Sequence, residues 1–141
     1  MGLLKETGYL EETIMNIKEN DNSGEANCAA YSMAVRDTMN MLSGKWKIQI
    51  IGTLCFGKKR FMELIASVGG IAAKMLSKEL QELELNGMVK RSVLHTKPIT
   101  VEYELTAYGH TLKPVIDVIV SWGIQHRQRV IKEMSAKKTS I

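Results

Sequence analysis

Few residues in this chain could carry out bond chemistry. Cys28 and Cys55 are the only cysteines and lack the spacing of a metal site. His95, His110 and His126 have no ligand-like spacing and no nearby carboxylate pattern. No glycine-rich phosphate loop, hydrolase elbow or pair of carboxylates is present. The expectation is no enzyme activity, no cofactor and no metal. What does cluster is positive charge. Lys58-Lys59-Arg60 forms one group, Lys74 and Lys78 a second with Ser77 and Gln81 nearby, and Arg91, His95 and Lys97 a third. Side chains of these types make charge-assisted hydrogen bonds to phosphates and to base edges, so the chemistry they suggest is recognition.

The formal net charge of +4 suits a polyanionic partner without proving one. With 45% hydrophobic and 24% charged residues over 141 positions, the chain has the composition of one globular core. No apolar run approaches the ~20 residues of a membrane span. Met1 to Glu12 mixes Lys5, Glu6, Glu11 and Glu12 with isolated apolar residues, which is unlike a secretory signal. Two unpaired-looking cysteines then fit a reducing, cytoplasmic setting.

The elements that must position the basic groups follow from periodicity. Leu10, Ile14 and Ile17 recur at helical spacing ahead of the polar stretch Glu19 to Glu25. Helices are expected over Met33 to Leu42, Lys45 to Phe56, Phe61 to Val68 and Ala72 to Leu85. Gly69-Gly70 supplies the turn before the fourth, and Asn86-Gly87 its left-handed stop. The period then changes to two. Met88 to Leu94 and Thr100 to Leu105 read as strands around the loop His95 to Ile99, which makes a hairpin. A last helix is expected from Thr106 to about Met134, with a frayed polar tail after it. The divisions are thus 1–24, 25–134 and 135–141.

Helix, helix, glycine turn, helix, hairpin, helix is the order of a winged helix-turn-helix, a mainly α fold with a small β-hairpin. With Leu76, Leu80 and Leu83 toward the core, Lys74, Lys78 and Gln81 fall on the opposite side of the fourth helix, with Ser77 at the edge. That face would enter the major groove of double-stranded DNA, while Arg60, Arg91 and Lys97 meet the backbone beside it. The competing reading is a winged-helix protein-interaction module that has lost DNA binding. Such a module would be expected to lose its basic face.

Leu42-Ser-Gly-Lys-Trp-Lys-Ile48 resembles the Gly-Lys-Trp core-helix motif of the HxlR-type regulators, relatives of the MarR group. Further matches follow in order: Gly57 to Phe61 with Glu63-Leu64, Lys74 to Leu80, Leu83-Glu84 with Asn86-Gly87, Val101 to Tyr103 with Leu105-Thr106, Gly109, and Trp122-Gly123. The resemblance spans about Cys28 to Arg129 and implies DNA-binding homodimers without enzyme activity. Two positions depart from the pattern. Ala72 stands where the family usually has a Ser or Thr cap, and Ala29 rather than Pro follows Cys28. Some members of the family sense oxidants or electrophiles through a cysteine near this place, which makes Cys28 the candidate sensor. Cys55 and Trp46 are expected to be core residues.

Reading a genomic site takes two half-sites and therefore a two-fold dimer. Leu112, Val115, Ile116, Ile119 and Trp122 form an apolar stripe on the final helix beyond what so small a core needs. With the Leu10, Ile14 and Ile17 stripe, it is the candidate homodimer surface.

Overall fold

The structure, a computed structural model, describes residues 24–139. The Leu10, Ile14 and Ile17 stripe lies outside the described residues. The described residues divide into two units, the first ending at Ser43 and the second beginning at Gly44.

Within the first unit, α1 spans Gly24–Met41. It starts well before Met33, inside the polar stretch that ends at Glu25. Ala29, Ala30 and Ala34 supply helix propensity that outweighs the missing apolar periodicity at its start. Cys28 therefore sits on a helix, where it is exposed.

The second unit begins at a turn through Gly44, whose φ of 91° suits glycine. Helix α2 (Lys47–Leu54) follows, then the short strand β1 (Lys59–Arg60), α3 (Phe61–Val68) and α4 (Ala73–Leu85). Strands β2 (Val89–Leu94) and β3 (Thr100–Leu105) come next, then α5 (Ala107–His110) and α6 (Lys113–Thr139). The core is one apolar cluster. Ile50, Ile51 and Leu54 of α2, Leu64 of α3, Leu76, Leu80 and Leu83 of α4, and Met88 are all fully buried. Burying each of these side chains contributes roughly 1.5–3 kcal/mol. Helix α2 lies at the centre, in contact with α3, β3 and α6.

The sheet has three strands in the order β1-β3-β2, all antiparallel. The hairpin was legible as alternation; β1 was not. Lys59 pairs with Tyr103 and Arg60 with Glu102, so this basic segment closes the sheet's far edge. Two residues are too short for a period-two pattern to register.

The final helical region is two helices. Thr106 caps α5 by accepting a hydrogen bond from the Gly109 N–H at 3.0 Å. The chain breaks at Thr111-Leu112 and restarts at Lys113-Pro114. Proline belongs in a first helical turn, where its missing N–H has no partner to lose. Helix α6 then runs through Thr139, past Met134 and through most of the segment expected to be a polar tail. Its 27 residues extend about 40 Å. Among the described residues, no helix is long and apolar enough to cross a membrane.

Candidate nucleic-acid interface

Helix α4 is held from behind and open in front. Leu76, Leu80 and Leu83 are buried completely, and on the other side Lys74, Ser77, Lys78 and Gln81 are all exposed. The turn that sets α4 against α3 passes through Gly69 and Gly70, with φ of 67° and 82°. Both angles are left-handed and disfavour a side chain. Ile71 then drops into the core, which anchors the turn. Ala72 takes the N-cap place in an extended conformation and provides no side-chain hydrogen bond to the first turn. Ala72, Lys74, Met75 and Lys78 line a shallow concavity on the outer surface.

At its other end α4 stops at Gly87, where φ is 72°, and the Met88 N–H donates back to the Leu83 carbonyl at 2.9 Å. That is a left-handed helix stop feeding straight into β2. Thr106 bolts the root of the hairpin to this point. Its N–H donates to the Met88 carbonyl at 3.0 Å, and its hydroxyl lies 2.5 Å from the Gly87 carbonyl oxygen as donor. The wing and α4 are thereby held in one register. Arg91 and Lys97 are exposed on that wing, as is His95.

The first basic group is dispersed. Lys58 lies 3.6 Å from Glu102 of β3, and Lys59 is half-buried in its strand. Arg60 begins α3: its backbone N–H donates to Glu63 at 2.8 Å, and the residue is exposed. On the wing Lys90 lies 3.8 Å from Glu104. The structure thus leaves Arg60, Lys74, Lys78, Arg91 and Lys97 as exposed cations on the elements that a winged helix turns toward DNA. Among the described residues, no group of His, Cys, Asp and Glu could hold a metal ion.

Sequence reasoning missed Lys47. This lysine is 4% exposed and stands on the buried face of α2. Its ammonium lies 2.6 Å from Glu79 and 2.6 Å from Glu82, both on α4. Burial pushes the ammonium down, but hydrogen bonds and charge from the two carboxylates outweigh it, and the net is above the usual lysine value. Glu82 is held below the usual carboxylate range, first by its hydrogen bond to Lys47. The signal was in the spacing. Lys47 falls in the same helical stripe as Ile50, Ile51 and Leu54, and Glu79 in that of Leu76, Leu80 and Leu83. Opposite charges on two apolar faces that must meet imply a buried pair.

Other expected core residues are displaced. Trp46 takes the N-cap place of α2 and is half-buried, with the Lys45 ammonium 4.7 Å from its ring centroid. Cys55 is half-buried rather than buried, because α2 ends there and the chain turns away. It lines an open cavity of about 730 Å³ between α2, α3 and α6. Partial burial pushes its thiol above the usual cysteine value. That disfavours the thiolate and agrees with an unreactive residue.

On α6, Ile116 is withdrawn from the candidate dimer stripe. It is buried in the subunit's own core and faces Gly52. Leu112 precedes the helix and is half-buried. Val115, Ile119 and Trp122 remain exposed, Trp122 by 65%. Trp122 stacks on His126 with ring centroids 5.0 Å apart.

Comparison with known proteins places this arrangement. Residues 41–131 match the HxlR-like helix-turn-helix family. The chain is 41% identical over 100 residues to the uncharacterized HTH-type transcriptional regulator YtcD of Bacillus subtilis, covering 71% of this chain and 79% of that protein. The redox regulator HypR, solved in its reduced form, superposes with a TM-score of 0.65 at 37% identity over 70% of this chain and 98% of its own. The reduced form of the transcriptional regulator YodB from B. subtilis superposes with a TM-score of 0.57 at 37% identity, covering 64% of this chain and 88% of its own. With its winged fold and this match across most of the second unit, the chain belongs to the HxlR-like helix-turn-helix family of transcriptional regulators.

Proposed function

We propose that the chain is a sequence-specific DNA-binding regulator that works in the cytoplasm as a homodimer on an operator with two half-sites. One observation carries the DNA reading. Lys74, Ser77, Lys78 and Gln81 are exposed on the side of α4 opposite three fully buried leucines. A helix about 10–12 Å across fits a major groove about 12 Å wide. Lys78 and Lys74 then reach phosphates or guanine, and Ser77 and Gln81 reach base edges. The open first turn behind Ala72 presents backbone N–H groups to a phosphate. Arg91 and Lys97 meet the backbone or minor groove from the wing, and Arg60 the flanking phosphates.

The dimer is supported by apolar surface without cover. Val115, Ile119 and Trp122 recur along α6, and Tyr31, Val35 and Met39 form a stripe on α1, all exposed. Amphipathic stripes of this size are normally buried, and an exposed tryptophan is a common interface anchor. The Leu10, Ile14 and Ile17 stripe of the sequence is proposed as a further part of the dimer contact. Cys28 is the residue proposed to sense oxidants or electrophiles. Its exposure on α1 supports this, as does the likeness to a protein described as a redox regulator.

The test is selection of operator fragments from the organism's own genome, followed by affinity measurement. Lys78→Ala and Arg91→Ala should bind the selected operator at least about tenfold more weakly while remaining folded. Lys78→Ala should also alter base preference if it reaches a base. Unchanged affinity in both variants would remove α4 and the wing from the interface.

A further inference from the structure

Helix α4 carries its own antagonists. Glu82 lies one turn beyond Lys78 on the same helix, a spacing at which the two side chains can pair. The Lys78 charge already acts on Glu82, helping to lower its pKa. Yet among the described residues Lys78 makes no ion pair, and Glu82 instead lies 2.6 Å from Lys47. Glu79 is drawn the same way. Its buried Oε2 has no partner among the described residues other than this ion pair. Lys74 and Lys78 thus face outward on α4, while Glu79 and Glu82 share a single ammonium from α2; Glu84, near the end of the helix, is exposed.

We propose that Lys47 is a positioning residue for DNA binding: by holding Glu82 and Glu79 behind α4, it keeps Lys78 unpaired and available to a DNA phosphate. Without Lys47, Glu82 would swing back across one turn to Lys78. The helix would then offer the duplex a neutral pair in place of a cation. Lys47 itself touches no DNA, so its influence passes through the carboxylates. The inference rests on the placement of Lys78 at the phosphates.

Salt dependence separates this role from a purely structural one. Each phosphate contact contributes about 0.9 to the slope of log affinity against log salt concentration. A fold defect lowers affinity by the same factor at every salt concentration and leaves that slope alone. The probe is a mixed-sequence DNA duplex titrated with the full-length protein. Removing Lys47 alone would strand the buried Glu79, so the working variant is Lys47→Met with Glu79→Gln, which leaves no buried charge unpaired. Its slope should be shallower than that of the unaltered protein by about 0.9 per protomer bound. Adding Glu82→Gln should restore the original slope although Lys47 is still missing. An unaltered slope in the double variant, or no restoration on adding Glu82→Gln, overturns the proposal. Lys78→Ala serves as the reference. If it leaves the slope unchanged, Lys78 does not meet phosphate, and the failure lies with the DNA placement and not with Lys47 alone.

Discussion

Gly109 is a site where one methyl group should be felt throughout the wing. A Cβ added there would stand 2.2 Å from the Met88 carbonyl oxygen and 3.2 Å from Leu105 Cδ2. The oxygen is backbone, accepts the Thr106 N–H, and cannot rotate away. Helix α5 must therefore withdraw by about 1 Å to reach ordinary contact distance. Withdrawal strains the overpacked core at about 1–3 kcal/mol and weakens two hydrogen bonds at the Thr106 node at about 1 kcal/mol each. Gly109→Ala should accordingly lower stability by about 3–5 kcal/mol. Urea unfolding followed by circular dichroism measures this, and thermal unfolding should drop by more than roughly 10 °C. Gly52→Ala is the contrast. Its Cβ would meet Ile116 Cγ2 at 3.7 Å, an ordinary contact inside a helix, so it should leave stability unchanged or raise it by up to about 1 kcal/mol. A loss under about 0.5 kcal/mol for Gly109→Ala would refute the close approach of α5 to the root of β2.

The Lys47 network should give stability a defined pH window. Its raised lysine stabilises the fold below the usual lysine value of 10.5, a contribution lost as pH climbs through the higher folded value. Its lowered glutamate stabilises above the usual 4.5, a contribution lost as pH falls through the lower folded value. Urea midpoints should therefore fall at both extremes, and the triple variant Lys47→Met/Glu79→Gln/Glu82→Gln should flatten both arms; matching profiles would contradict the ion pairs. Lys47→Met alone should be destabilised by about 3–5 kcal/mol, since it leaves Glu79 buried and unpaired. Trp122→Ala and Ile119→Asp should sediment as monomers at micromolar concentration, where the native chain should sediment as a dimer. A monomeric native chain would end the two-half-site reading. Diamide or hydrogen peroxide should change operator affinity in the native protein and not in Cys28→Ser, and a response that survives the substitution would clear Cys28 of the role.

The fold was readable wherever a periodic stripe was long enough to speak. Leu76, Leu80 and Leu83 located α4 and its outer face, and the alternation ending in Tyr103 and Leu105 located the hairpin. The misses have physical causes. Strand β1 is too short to show a period, and only its pairing with β3 creates it. Pro114 marks the restart of the last helix, but a strong apolar pattern runs across it and hides the break. Ile116 reads from sequence like Ile119, because one stripe faces both the subunit's own core and the outside. Lys47 carries a charge, which by itself points to the surface. Its place in an apolar stripe, opposite a glutamate in another, was the available signal.

DNA binding through the outer face of α4 is tested most directly by the salt dependence of DNA affinity in the native protein and in Lys74→Ala/Lys78→Ala. The native slope should be steep. The double variant should lose about 1.8 of it per protomer, two phosphate contacts at about 0.9 each, with its thermal unfolding unchanged. A native slope near zero, or one that the double variant leaves intact, would contradict the assignment of this helix to DNA.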